Sequence, residues 1–248
     1  MVSINSTFQG INLGAVNSTE KPKSSDTTGV GNMGATVTQA NSSNSVSSLG
    51  RQLSDAATRA ELRDSTLNLK TLGQTADSIN DQLVGNAYQT NKIRNDAEVP
   101  NTDDPELLAR ARQATGFVNG TGSNPFKGMS RDQLALITYD EGGEFTVNER
   151  RAAWQESTDQ EQVWRRQTAQ KAMDEYNSTG KMTNFFTDVL DHFKGLPAIE
   201  QAQYPESYAS DLLQKIGGGA NYKSSPAAGT TINPLLQQII YSNQERVF

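Results

Sequence analysis

Apolar residues recur at helical spacing in the part of the chain that follows Ser48. The clearest series steps by three and four residues and comprises Leu69, Leu72, Ala76, Ile79 and Leu83. Side chains at this spacing lie on one stripe of a helix, which Leu62 extends by one heptad. The pattern predicts one or two helices across 48–95, with Gly73 as the candidate break. The stripe would form either the seam of a bundle or a coiled-coil surface for a partner.

Local start and stop signals predict further helices. Residues 104–106 (Asp-Pro-Glu) place an acidic N-cap before a proline at the first helical position. They predict a helix over 104–115, with Gly116 as its stop. The same reasoning predicts helices at 182–194, 205–216 and 234–242.

Two capping boxes mark the middle of the chain. Ser130 is followed three residues later by Gln133, and Thr146 by Glu149, the pattern in which each side chain bonds the other residue's backbone. The second box opens a long helical stretch that Gly180 ends. Because no long alternating strand pattern occurs, the predicted fold class is all-α, an irregular helical bundle.

Composition divides the chain into unequal parts. Of the first 50 residues, 22 are Ser, Thr or Asn, and such a segment cannot bury enough surface to offset the entropy of ordering it. We therefore expect a disordered segment at 1–47 and a helical domain at 48–216. A flexible Gly/Ser/Pro linker at 217–232 and a short C-terminal helix at 233–248 complete the predicted organisation.

Charge and missing residue types exclude several function classes. The net charge of −6 disfavours nucleic acid as a partner, because an acidic domain repels phosphates. The chain has no cysteine and one histidine, which excludes disulfides and cysteine-based zinc sites. No apolar run approaches the roughly 20 residues of a membrane span. The first residues lack the basic and apolar regions of a Sec-type signal.

An acidic glycine turn joins the helices that the two capping boxes open. Its residues resemble the EF-hand, with Asp140 at the first ligand position, Gly143 at the glycine, Phe145 at the apolar position and Glu149 at the last ligand. The spacing from Asp140 to Glu149 is ten residues instead of twelve. The resemblance implies a calcium site with Asp140, Glu144 and Glu149 as metal ligands. A capped helix–turn–helix without an ion and a carboxylate active site are the alternatives.

The single histidine and the paired arginines are further candidates for chemistry. His192 could act as a general base, and Asp188 lies one helical turn before it. The alternative is a histidine that favours the end of a helix. The arginine pairs at 150–151 and 165–166 form either a basic stripe or, given the interleaved acids, intrahelical ion pairs.

Two resemblances bear on origin. The Ser/Thr/Asn-rich start, with Ile4 and no acidic residue before Glu20, resembles the export segment of bacterial type III secretion substrates. The segments at 124–130 (NPFKGMS) and 145–153 (FTVNERRAA) resemble an uncharacterised family of pseudomonad proteins across the helical domain. That resemblance implies a bacterial source and no catalytic residue.

Together these features predict a non-enzymatic protein-interaction module with a protein partner. It would be secreted by a signal-peptide-independent route, as an effector, or stay in the cytoplasm. A calcium-responsive helix–loop–helix protein is the alternative function, and a carboxylate-based hydrolase is the third.

Overall fold

The computed structural model describes residues 47–218. Within this range the chain forms nine helices and no strand, so the all-α class is confirmed there. The predicted disordered segment, the helix at 233–248 and all but the first two residues of the predicted linker lie outside the described residues. The helices are α1 Ser48–Thr66, α2 Leu69–Leu83, α3 Asn86–Ala97, α4 Pro105–Val118, α5 Arg131–Thr138, α6 Val147–Thr179, α7 Thr183–Lys194, α8 Ala198–Gln201 and α9 Tyr208–Gly217.

Helices α4, α5 and α6 begin where the capping signals predict. Both capping boxes are formed: Ser130 accepts from the Gln133 amide at the start of α5, and Thr146 accepts from the Glu149 amide at the start of α6. Gly180 ends α6 with φ +69°. These starts depend on bonds between residues three apart, which the sequence alone specifies.

Three predicted boundaries are wrong. The segment 48–95 contains α1, α2 and most of α3, and the breaks fall at 67–68 and 84–85 instead of Gly73. Helix α4 continues through Gly116 to Val118, and α9 starts at Tyr208, three residues after the proline that was expected to open it. Local propensity is a weak guide to where a helix breaks or ends, and a single glycine or proline does not fix the boundary.

The apolar stripe is divided between core and surface. Leu72, Ala76, Ile79 and Leu83 are buried on α2, where they pack with residues of α5 and α8. The remaining two positions, Leu62 and Leu69, are 66% and 47% exposed. Most of the stripe is therefore a bundle seam.

The 33-residue helix α6 is the spine of the domain, and its two halves serve different cores. It packs against α2, α3, α4, α5 and α7. Its first turns join an apolar cluster with α1, α4 and α5 that includes Phe126, Leu134, Ile137 and Phe145. Its C-terminal half meets α7 and α9 in a separate cluster around Phe185, Phe186 and Leu190. No described helix is long and apolar enough to span a membrane.

Gly73 brings α2 into direct contact with the end of α8. A Cβ atom at Gly73 would lie 2.6 Å from the carbonyl oxygen of Ala202. We expect Gly73→Ala to lower the free energy of unfolding, because overpacking costs about 1–3 kcal/mol while the gain in helix propensity is about 1 kcal/mol. Gly116→Ala in α4 is the matched control: its Cβ would meet only Thr121 Oγ1 at 3.4 Å. Urea denaturation should show a loss for the first variant and a small gain for the second; a gain for both would contradict this packing.

Candidate functional site

The acidic turn between α5 and α6 is shaped by two glycines. Gly143 has φ +79°, in the left-handed region that glycine tolerates best. A Cβ atom at Gly142 would lie 2.4 Å from the Nε atom of Arg59. Gly143 thus sets the backbone of the turn, and Gly142 lets α1 approach it.

Arg59 from α1 closes over this turn. Its Nε donates to Asp140 Oδ1 at 2.7 Å, and its Nη2 donates to Asp140 Oδ2 at 3.2 Å and to Glu144 Oε2 at 2.7 Å. These hydrogen bonds, foremost those with Asp140, raise the pKa of Arg59 above its ordinary value. The protein itself therefore supplies a cation to two of the turn's carboxylates.

Glu149, the third carboxylate, points into the interior. Its side chain is fully buried, and its Oε1 accepts from Arg110 Nε at 2.7 Å while its Oε2 accepts from the Thr146 amide at 2.8 Å. Arg110 also donates to Gln52 Oε1 at 2.7 Å, and Gln52 donates to the carbonyl of Glu144 at 3.0 Å. This network joins α1, α4, the turn and α6.

The three predicted metal ligands thus face two different arginines. Asp140 and Glu144 share Arg59, whereas Glu149 pairs with Arg110. Across residues 47–218, no three His, Asp or Glu side chains are grouped so that they could hold a metal ion. Calcium binding stays a prediction, and it requires Asp140 and Glu144 to release Arg59.

A calcium titration of the full chain tests whether calcium can take the place of Arg59 beside Asp140 and Glu144. A ligand that binds only the folded state must raise its melting temperature. Because Arg59 already hydrogen-bonds both Asp140 and Glu144, we expect calcium up to roughly 1 mM to leave the wild-type Tm unchanged. Arg59→Ala should gain a calcium-dependent rise, and Arg166→Ala, which alters an exposed arginine of α6, should not. A rise in the wild type as large as in Arg59→Ala would show that calcium displaces the arginine.

A pocket of about 370 Å³ opens beside the turn. It lies between α1, α5 with the start of the turn that follows it, and α8, so it is built from three separate stretches of the chain. Its wall is formed by small apolar side chains together with charged ones. The lining residues are Ala56, Arg59, Ala60, Arg63, Asp64, Asp132, Ala135, Leu136, Tyr139, Asp140, Glu141, Gly142, Pro197, Ala198 and Ile199.

The buried polar groups of the pocket already have partners. Both carboxylate oxygens of Asp140 accept from Arg59. The Tyr139 hydroxyl accepts from Gln203 Nε2 at 3.1 Å, and the Tyr139 carbonyl accepts from Arg63 Nη1 at 3.1 Å. These groups are therefore committed to holding α1 and α8 against α5.

His192 lies outside this pocket. Its Nε2 is 2.8 Å from Glu161 Oε2, and its ring stacks on Trp164 with centroids 3.6 Å apart. Asp188, the expected orienting acid, pairs instead with Lys171 at 3.6 Å. No hydroxyl group in the described residues hydrogen-bonds His192. From the sequence, Glu161 was one of the acids expected to pair with the arginines of α6; its contact with His192, 31 positions away, was not predicted.

Glu161 belongs to a buried ion cluster centred on Arg131. Arg131 donates to Glu161 at 2.5 Å and to Glu200 at 2.7 Å. Burial raises the pKa of Glu200. Burial also acts to raise the pKa of Glu161, but its bond with His192 and the charge of Arg131 outweigh that effect and hold its pKa well below the ordinary value. The two carboxylates that share Arg131 therefore have pKa values shifted in opposite directions.

The arginine pairs are used in different ways. Arg165 donates to Glu161 at 2.8 Å, so intrahelical pairing is confirmed for it. For the pair 150–151 that prediction is wrong. Arg150 bonds the last carbonyl of α5 at 3.0 Å, and Arg151 lies 4.0 Å over the ring of Tyr88. These two side chains fix α6 to its neighbours and leave no basic stripe there.

The two segments that resemble the pseudomonad family have structural roles. In 124–130, Asn124 donates to the Ala152 carbonyl at 2.8 Å and Phe126 is fully buried. The segment 145–153 holds the capping box and much of the core of α6. Membership of that family stays a prediction. Comparisons with protein-family models, with curated proteins and with solved structures found no match to this chain.

Proposed function

We propose that this chain is a non-enzymatic protein-interaction module that receives part of a protein partner in the pocket beside the acidic turn. The observation that carries the proposal is the pocket itself, about 370 Å³ in volume and walled by Ala56, Ala60, Ala135 and Ala198. Small side chains on three helices, α1, α5 and α8, leave room for a side chain from outside. The pocket volume is at the low end of the roughly 300–1,000 Å³ of ligand sites.

The partners of the buried polar groups favour a protein over a small molecule. Small-molecule sites commonly hold a ligand with a few converging polar groups. Here Asp140 and the Tyr139 hydroxyl are occupied by Arg59 and Gln203. What the pocket offers is an apolar wall and a charged rim, which suits a side chain whose backbone is held by its own protein.

The state of the candidate catalytic groups supports a non-enzymatic role. A carboxylate hydrolase needs one acid free to donate a proton and one free to act as base or nucleophile. Asp140, Glu144 and Glu149 each face a guanidinium, which leaves Glu141 as the one carboxylate of the turn without an ion pair, and a single carboxylate cannot fill both roles. His192 is stacked on Trp164, which restricts the approach of a substrate to one face of its ring.

Site-specific photo-cross-linking tests where the partner binds. A benzophenone amino acid is placed at Ala60, which lines the pocket. The matched control is Ala57 on the same helix, which is exposed and does not line the pocket. In cells that contain the partner we expect a discrete cross-linked protein at 60 and none at 57. Equal cross-linking at both positions would contradict a pocket-directed interaction.

For delivery, we propose type III export through residues 1–50. The Ser/Thr/Asn-rich composition of that segment supports this, because an export segment must be threaded unfolded. A reporter fused to residues 1–50 should leave bacteria that have a functional type III system and stay inside a mutant that lacks it. Retention of the reporter in both strains would contradict type III export, and the interaction module would then act in the cytoplasm.

A further inference from the structure

The cations that line the pocket are already matched by carboxylates. Arg59 bonds Asp140 and Glu144, and Arg63 bonds Asp64 at 2.8 Å. Neither guanidinium therefore presents an unmatched positive charge to a ligand. An anionic ligand would have to displace one of these internal partners first.

The side chains that line the pocket carry an excess of negative charge. Its lining holds four carboxylates and two guanidiniums, a formal charge of −2. Asp132 and Glu141 are exposed, and no side-chain hydrogen bond or ion pair found within residues 47–218 involves either carboxylate. Glu141 interacts electrostatically with the buried guanidinium of Arg150, but the two do not form an ion pair. Asp132 is in the first turn of α5 and Glu141 is in the acidic turn, so the two acids border the pocket from different segments. The exposed carboxylates of Asp132 and Glu141 form a rim that favours a cationic group over an anionic one.

The apolar interior sets a second requirement. Ala60 and Leu136 line the pocket together with the buried Ala56, Ala135 and Ile199. A small hydrated cation gains nothing from such walls. Lysine and arginine side chains combine an aliphatic stem, which buries against apolar surface, with a charged end that stays at the rim. Their shape and charge fit both parts of the pocket.

We propose that the occupant of the pocket is a lysine or arginine side chain of the partner protein. This inference rests on the proposed function and identifies the chemistry of the partner. The aliphatic stem packs along α1 and α5, and the cationic end reaches the carboxylates of Asp132 and Glu141. Binding is consequently weakened by salt, because exposed charges are screened over about 10 Å at 0.1 M ionic strength.

Four peptides test the inference on the full chain. Each is a capped pentapeptide of alanines with lysine, arginine, norleucine or glutamate at its centre, titrated to roughly 10 mM into isotopically labelled protein. The backbone amides of Ala60 and Gly142 report occupancy. We expect lysine or arginine to bind roughly three- to tenfold more tightly than norleucine, as two exposed ion pairs allow. The glutamate peptide should bind least.

Two double variants test the source of that preference. Asp132→Asn with Glu141→Gln should abolish the advantage of the cationic peptides. Asp103→Asn with Asp174→Asn removes the same charge from exposed positions outside the pocket and should preserve the advantage.

The alternatives give separate results. Norleucine or glutamate binding as tightly as lysine would overturn the cationic occupant while keeping the pocket as a docking site. If no peptide moves the pocket amides, the proposed docking site itself fails. Pocket shifts that grow with protein concentration alone would assign the pocket to a second copy of this chain and overturn a basic partner.

Discussion

Glu149→Ala is expected to lower the free energy of unfolding by about 3–5 kcal/mol, the range for removing one partner of a buried ion pair. The Glu149 side chain is fully buried, and Arg110, which is 12% exposed, would lose its counter-charge. The variant also removes the bond that Thr146 N donates to Glu149 Oε2 at the start of α6. Chemical denaturation followed by circular dichroism measures the loss.

Glu144→Ala is the control for this expectation. Glu144 also pairs with an arginine, Arg59, but its side chain is 33% exposed. Exposed pairs contribute about 0.2–1 kcal/mol, so the control should lose less than about 1 kcal/mol. Equal losses for Glu149→Ala and Glu144→Ala would show that burial does not decide the strength of these pairs.

The second large effect is expected for Arg131→Met. Removing this guanidinium leaves Glu161 and Glu200 without their shared cation in a site where Glu200 is 6% exposed. We expect a loss of about 3–5 kcal/mol. Arg166→Met, at an exposed position of α6, should be nearly neutral. Adding Glu200→Gln to Arg131→Met should restore part of the loss, because it removes one buried charge; a further decrease would contradict this account.

The same cluster predicts a pH dependence. The pKa of Glu161 is lower in the folded chain than in the unfolded chain, so its contribution to stability is present above its unfolded pKa of about 4.3 and is lost as the pH falls below it. The pKa of Glu200 is raised by burial, so its protonation as the pH falls favours the folded chain. Between about pH 5 and 3, Glu161→Gln should therefore lose less stability than the wild type, and Glu200→Gln should lose more. A greater loss for Glu161→Gln than for the wild type, with a smaller loss for Glu200→Gln, would mean that the two pKa values shift in the opposite directions.

Features set by neighbouring residues in the sequence were predictable. The capping boxes of α5 and α6 and the glycine that ends α6 are local, and each was predicted at its observed position. Gly73 does not break a helix; a glycine is needed there because a Cβ atom at that position would lie 2.6 Å from the carbonyl oxygen of Ala202. The sequence shows that position 73 is a glycine, but only the tertiary contact with Ala202 shows why a larger residue does not fit there.

The site was predictable only in part. Sequence pattern selected Asp140, Glu144 and Glu149, but Arg59 lies 81 positions before Asp140 and 85 before Glu144. Acidic residues in a glycine turn are equally suited to a metal ion or to an arginine, and the choice depends on which group the fold places above them. The pocket could not be predicted, because the three stretches of chain that line it meet only in the folded protein.

The most direct test of the docking site is the affinity of two tryptophan variants for the partner identified by cross-linking. Ala60→Trp fills the pocket, whereas Ala57→Trp adds the same side chain to the exposed face of α1. We expect Ala60→Trp to weaken binding by at least about tenfold with an unchanged melting temperature, and Ala57→Trp to bind like the wild type. Wild-type affinity for Ala60→Trp would contradict the pocket as the docking site.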